Sequence, residues 1–231
     1  MSHSSHKIIV VGLGGQARVV ASVARACGYE VAGFLDAFGK PLVGMQINGT
    51  PVLGELSFLS SLESPVVGLA VGDNHRREQI ARLIGQTNAS AQIISLVHPR
   101  TFIESGVFLG SHVTICVGAI ICTGASIGKG AIINSGAIVE HECSVGHYCH
   151  ISSGVQLGGR VAVGSFSHVG IGATVIDKIR VGNDCIIGGG AVVVRDVTAF
   201  TTSVGVPARV IKCHGIRKGD LSEETLANDM P

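Results

Sequence analysis

The sequence predicts a protein in two parts, a small α/β unit followed by a long prism of parallel β-strands. Three observations carry this. An aliphatic residue recurs at every sixth position from Val97 to Val193 without a break. An apolar strand, Lys7–Val11, runs into a glycine loop and then a helical stretch. Glycine is heavily used, with 33 residues, while aromatics make up only 4%, the bias of an interior built from tight backbone turns rather than large rings.

The first unit reads element by element. After the strand Lys7–Val11 comes the loop Gly12-Leu13-Gly14-Gly15-Gln16. A helix follows from about Gln16 to Cys27, with Gly28 just past its end. Val31–Leu35 is a second strand, ending at Asp36. Gly12-x-Gly14-x-x-Ala17 formally matches the dinucleotide fingerprint, and Asp36 stands roughly where the ribose-binding acid belongs. Alone, the motif says only that some phosphate-bearing ligand could rest on amides at a helix N-terminus. Pro65–Val71 reads as a strand ending in Gly72-Asp73-Asn74, Asn74–Ile84 as a helix, and Ala91–Val97 as a strand leading into the repeat. About 90 residues are too few for a full two-half dinucleotide domain, which weakens an NAD-dependent sugar oxidoreductase reading.

The repeat has a physical meaning. Three hexads make one triangular coil, with the aliphatic residue pointing inward on each face. From 97 to 193 there are sixteen hexads, a little over five coils, with no long loop. The position after the aliphatic is often Gly, as at Gly128, Gly158 and Gly170. The position two before is small, and Cys143, Cys149 and Cys185 occupy it. There cysteine acts as a small hydrophobe. A Cys/His metal site would need those thiols to face outward with the histidines, which the register opposes, so no metal is expected. Cys143 and Cys149 fall on successive faces, so no disulfide is expected between them.

Composition narrows the function classes. Seventeen Lys+Arg against sixteen Asp+Glu leave a net charge of +1, which argues against a nucleic-acid or membrane-surface binder. No apolar run approaches a membrane span, and MSHSSHK lacks the apolar core of a secretory signal. Seven cysteines with no CxxC are those of a cytoplasmic protein with free thiols.

A glycine-loop α/β unit followed by hexapeptide repeats, with "VEHEC" at Val139–Cys143 and a GxPA ending within Val204–Lys212, resembles one family. It is the sugar O-/N-acyltransferase family of sialic acid O-acetyltransferases and nucleotide-activated 4-amino-sugar N-acetyltransferases. The resemblance covers about residues 7 to 213. It implies a Rossmann-like domain and a left-handed parallel β-helix, a homotrimer, and acetyl-CoA as co-substrate. It implies His141 as general base and Glu142 as the acid that orients it. It places His150 near the acetyl donor and Asn134 on the sugar nucleotide, with Gly12, Gly14, Gly15, Gln16 and Asp36 holding the nucleotide. Gln16 stands where relatives carry a histidine, and Asp36 is followed by Ala37 where relatives often have a second acid.

The residues themselves agree on His141. It falls two places after inward Val139 and so faces out beside a corner. Acyl transfer to an amine or hydroxyl needs a base with a pKa near neutrality. Gly159 lies three hexads past His141, one coil along the same side, so its amide is a candidate oxyanion donor. Gly159 and Gly170 are expected with His150 around acetyl-CoA. His147 is expected in solvent; His168 stacks one coil beyond His150. His141 and His150 are half a coil apart and point to different sides of one chain. A working pair would therefore come from two chains. Outward Phe166 and Ile171 offer apolar surface for that assembly.

The expected division is 1–96 as nucleotide-sugar-binding domain, 97–213 as acetyltransferase helix and 214–231 as tail, with a possible short helix at 222–228. The expected activity is acetyl-CoA-dependent N-acetylation of a nucleotide-linked 4-amino sugar for cell-surface glycan. O-acetylation of a sialic-acid-type sugar is the alternative. A β-helix carbonic anhydrase is remote, because His141, His147 and His150 lack the register for one metal. UDP-, dTDP- and GDP-linked substrates all remain open.

Overall fold

The structure, a computed structural model, describes residues 6–39 and 44–214. The expected tail lies outside those residues, except for His214.

The first unit is a six-stranded sheet with helices on both faces. Its elements are β1 (Lys7–Val11), α1 (Gly15–Ala26), β2 (Glu30–Asp36), β3 (Gln46–Ile47), β4 (Thr50–Glu55), β5 (Val66–Leu69), α2 (Asn74–Thr87) and β6 (Gln92–Ile93). The strand order is β3-β4-β2-β1-β5-β6, parallel except at the β3–β4 hairpin. Strand β1 is apolar throughout because both of its faces are covered. Ile8 and Val10 pack with Ala17, Val20, Ala21 and Ala24 of α1. Ile9 and Val11 pack in a second core with Ile80 and Ile84 of α2. The β3–β4 hairpin was not expected. It turns on Asn48-Gly49, at φ 50° and 77°, the residues a tight two-residue hairpin favours. The expected strand Ala91–Val97 is two short strands, because the chain leaves β5 after Ile93 and at Leu96–Val97 pairs with Thr114–Ile115.

The repeat folds as expected into two-residue parallel strands on three faces, each strand pairing with its counterpart one coil away. The first face begins at Leu96–Val97 and includes Ile132–Ile133, His150–Ile151 and His168–Val169. The second runs from Phe102–Ile103 to Val192–Val193, the third from Phe108–Leu109 to Arg180–Val181. The inward aliphatics form one continuous core; Val97, Ile103 and Leu109, at the open first coil, are only partly buried. The Cys143 and Cys149 thiols donate to the carbonyls of Gly158 and Gly164 at 3.0 Å. Burial pushes them up to about 11 and about 12 respectively, so both are inert core thiols. Past Val193 the hexads lose step. Val197 still bridges to Val181, and a strand Thr201–Val204 joins the first face, covered by an antiparallel strand Arg209–Cys213. Among the described residues no helix is long and apolar enough to cross a membrane.

One corner of the prism holds the two units together. His112, Gly130, Tyr148, Phe166 and Asp184 succeed one another at one-coil steps, all at positive φ. The first turns of α2 dock onto this ladder. The Asn74 amide donates to the carbonyls of Phe166 and Ser167 at 2.8 and 3.1 Å. His75 stacks on Phe166 at 4.5 Å and meets Asp184 at 2.6 Å. Arg77, 1% exposed, donates to the carbonyls of Gly130 (2.8 Å), Tyr148 (2.7 Å) and Cys149 (3.1 Å). It also reaches Val71, Gly72 and the Asn74 side chain. Phe166 is therefore occupied by its own chain rather than free for assembly, whereas Ile171 is 67% exposed.

Arg77→Leu strips the donors from a set of buried carbonyls, so it should cost about 3 kcal/mol or more. Urea unfolding followed by far-UV circular dichroism measures this, and an unchanged midpoint would refute it.

Candidate active site

The glycine loop sits at the C-terminal edge of β1. Gly12 has φ 132°, its N–H donates to Leu35 O at 2.9 Å, and a Cβ there would collide with the Ala70 carbonyl. Only glycine fits. Gly14, the residue preceding α1, and Gly15 have open space around them, so their amides are approachable. Gln16 follows, and its buried Nε2 has no partner among the described residues. A buried amide without an acceptor costs stability unless something else supplies one, and a phosphate or sugar oxygen would do so. Asp36, at the end of β2, lines a cavity of about 570 Å³ with Phe38, Glu55, Ser57 and Gln79. Its Oδ1 accepts from the Phe38 amide at 3.0 Å. Loop and acid thus lie together beyond the carboxyl ends of β1 and β2, where ligands bind in open parallel sheets.

His141 stands on the turn between the second and third faces. Its Nδ1 lies 3.2 Å from Glu142 Oε2. An ionised carboxylate only accepts, so Nδ1 carries the proton and Nε2 keeps a free lone pair. The same Glu142 oxygen accepts from Arg160 Nε at 2.8 Å. The Arg160 contact, with that of His141, holds the Glu142 carboxyl below its ordinary range. A Cβ added to Gly159 would lie 2.5 Å from His141 Nε2, so glycine keeps that nitrogen clear. The Gly159 carbonyl accepts from Lys178 N at 2.9 Å, while its own N–H donates to no acceptor among the described residues. An unengaged amide beside a basic nitrogen is an arrangement that can take a proton and stabilise an oxyanion.

His150 lies elsewhere, on the first face, roofed by the loop before α2. Its Nδ1 faces Gly72 O at 3.4 Å and its Nε2 faces Asn134 Nδ2 at 3.2 Å. It is therefore a neutral ring that donates from Nδ1 and accepts at Nε2. Burial first, then the nearby His168 and Arg77, lower its pKa to about 4. His168 packs on it at 4.8 Å and shares a hydrogen bond with Ser152 Oγ at 3.1 Å. Asn134 is thus joined to His150 and not to His141. Gly170 is buried, and its amide donates to Ile187 O at 2.7 Å. A Cβ there would strike the next coil at 2.7 Å, so its glycine serves coil stacking and its N–H is not open to acetyl-CoA. His147 is exposed, as expected, yet its Nδ1 accepts from Lys129 N at 3.0 Å. Arg160 was not singled out from sequence, although it follows Glu142 by the spacing of one coil. Among the described residues no three of His, Cys, Asp or Glu converge as a metal ion requires.

Comparison with known proteins gives this geometry its context. Residues 7–84 match the PglD N-terminal domain family. A mutant of the GDP-perosamine N-acetyltransferase from Caulobacter crescentus, solved with CoA and GDP-perosamine, is 34% identical. That similarity covers 91% of this chain and 99% of that one, at a TM-score of 0.82. The chain belongs to the hexapeptide-repeat family of sugar acyltransferases. Its prism is accordingly a left-handed β-helix, and it is an acetyl-CoA-dependent acetyltransferase. The acetyltransferase domain of PglB from Neisseria gonorrhoeae FA1090, solved with acetyl coenzyme A, is 29% identical, covering 90% of this chain and all of that one at a TM-score of 0.81. A curated relative, the uncharacterized protein L142 of Acanthamoeba polyphaga mimivirus, is 30% identical over 110 residues, and the chain spans only 22% of its length.

The buried His150 ring sets a pH dependence. An unfolded histidine takes up a proton near pH 6.5, whereas folded His150 resists until about pH 4. Its contribution to stability is intact above pH 6.5 and is lost as the pH falls from there toward 4, by up to about 3 kcal/mol. His168, lowered the same way by burial, adds to this. Urea midpoints measured from pH 7 to 4.5 should fall more steeply for the wild type than for His150→Gln; parallel curves would contradict the assignment.

Proposed function

We propose that the protein transfers the acetyl group of acetyl-CoA to the amino group of a nucleotide-linked 4-amino sugar. The observation that carries this reading is His141. Its Nδ1 is held by Glu142 and its Nε2 is kept clear by Gly159. Support for a nucleotide-bearing substrate comes from the open Gly14 and Gly15 amides, the unpartnered Gln16 and the Asp36 cavity. Support for a GDP carrier comes from the Caulobacter relative, which was solved with GDP-perosamine.

In this mechanism the substrate amine, once it has lost its extra proton, attacks the thioester carbon. The carbonyl electrons move onto oxygen, which the Gly159 N–H receives. The intermediate collapses with cleavage of the C–S bond. His141 Nε2 takes the proton released by the nitrogen, and the CoA thiolate leaves to be protonated in turn. No acyl-enzyme is needed, because holding both substrates together supplies much of the rate. The exposed Ile171, and the half-coil separation of His141 from His150, support a working site completed by a neighbouring subunit of a homotrimer. The glycine-loop unit, 1–96, holds the nucleotide, and the helix, 97–213, holds acetyl-CoA.

Release of CoA thiol with a panel of UDP-, dTDP- and GDP-linked 4-amino sugars, and with sialic acid, tests the substrate. Turnover is expected with an amino sugar, GDP-linked first; turnover with sialic acid alone would replace this reading by O-acetylation. On the best substrate, His141→Asn should lower kcat by about 10²–10⁴-fold, the usual loss of a general base. Glu142→Ala should cost roughly tenfold, since it orients rather than accepts the proton. Cys143→Ala should leave kcat nearly unchanged. Sedimentation that found an active monomer would rule out the shared site.

A further inference from the structure

We propose that Arg160 is a positioning residue for the proton-accepting pair, acting on His141 through Glu142. The proposal rests on the reading of His141 as the base. The turn of one coil carries His141 and Glu142, and the turn of the next carries Gly159 and Arg160. Two contacts lock them in register. Arg160 N donates to His141 O at 2.9 Å, and Arg160 Nε donates to Glu142 Oε2 at 2.8 Å. Glu142 itself sits at φ 59°, on a corner where the backbone fixes the direction in which its side chain leaves. Its N–H is tied to Thr123 O at 3.0 Å on the coil before. The carboxylate is therefore held from one coil by its backbone and from the next by a guanidinium, on the same oxygen that meets the imidazole.

The charges around His141 make this arrangement matter. On its own turn stand Glu140 and Glu142. From the preceding coil come the neutral Cys122, Thr123 and Gly124, with the Glu104 carboxylate behind them, accepting from the Thr123 amide at 2.7 Å. From the following coil comes Arg160, and one coil further stand Asp177 and Lys178, of which Lys178 N bonds Gly159 O. Arg160 and His141 share one carboxylate oxygen, so the anion that holds Nδ1–H is itself paired with a cation. That cation offsets the anion's field while leaving the oxygen in place to hold Nδ1–H. Arg160 so lets Glu142 fix the tautomer with its own charge paired.

The sign follows. With arginine gone and the carboxylate left, imidazolium is favoured, so the rising limb of kcat against pH should move up in Arg160→Gln. The move should be modest, because the Arg160 and Glu142 side chains are more than half exposed and solvent screens them. The plateau should drop roughly threefold to tenfold as the carboxylate loses its second anchor. Glu142→Gln removes the anion and should move the limb the other way. Arg160→Lys keeps the cation and should return the limb to its wild-type position. Raising the salt should shrink the Gln shift.

The experiment is the pH profile of kcat for the intact protein and these three variants, with His141→Asn alongside. If the limb survives in His141→Asn, the base is another group and the parent reading fails. If the limb is lost in His141→Asn but both limb and plateau are unmoved in Arg160→Gln, only the role of Arg160 is overturned. If Arg160→Lys shifts the limb as far as Arg160→Gln, a charge-based role is likewise overturned.

Discussion

The arrangement of this molecule depends on one buried guanidinium. Arg77 closes hydrogen bonds to carbonyls on successive coils and to the loop that precedes its own helix. A prism corner at positive φ leaves carbonyls with no strand partner, and a helix brings few donors to its outer surface. Arginine, with five N–H groups in a rigid fork, meets both needs at once. Burial lowers its pKa only to about 10, so it stays charged. Because Arg77 also reaches Val71 and Gly72, it fixes the segment that roofs His150. The placement of the glycine-loop unit over the first face, and the enclosure of His150, Asn134 and His168 beneath it, follow from that latch.

The second constraint is the three-hexad coil. It decides which side chains meet, because each outward residue has one neighbour a coil before and one a coil after. His141 meets Gly159, Glu142 meets Arg160, His150 meets His168, and Phe166 lies between Tyr148 and Asp184. Chemistry is thus written vertically, across coils, while the sequence is read horizontally along them.

That difference explains what the sequence disclosed. The hexads, the inward cysteines and the facing of His141 depend only on period, and period survives in one dimension. The burial of His150 was not legible, because nothing in a periodic pattern tells which face a second unit will cover. Arg77 was equally silent: an arginine in an amphipathic helix ordinarily reads as solvated. The use of the Gly170 amide in coil stacking was not legible either, because a glycine needed for stacking looks the same as one that exposes an amide. Two misses had signals. Asn48-Gly49 between short apolar runs is a hairpin turn, and Arg160 stands one coil from Glu142. After Val193 the aliphatic spacing slips, and Val197 and Thr201–Val204 complete the last coil out of step.

The close stacking of the coils carries a consequence for how such a protein can change. At Gly128 and Gly146 a single added carbon would fall within 2.7 Å of the next turn's backbone, so the spacing between coils has no slack. Chain length in this half is therefore quantised. Deleting one residue between Val97 and Val193 would put every later inward aliphatic on the outside, and a deletion between His141 and Gly159 would also slide Gly159 and Arg160 away from His141. Deleting one whole coil, three hexads together, beyond that pair would preserve the register of everything upstream. Variation among proteins built this way can proceed freely by exchanging outward side chains or counting coils, whereas a shift of reading by one residue is closed to it.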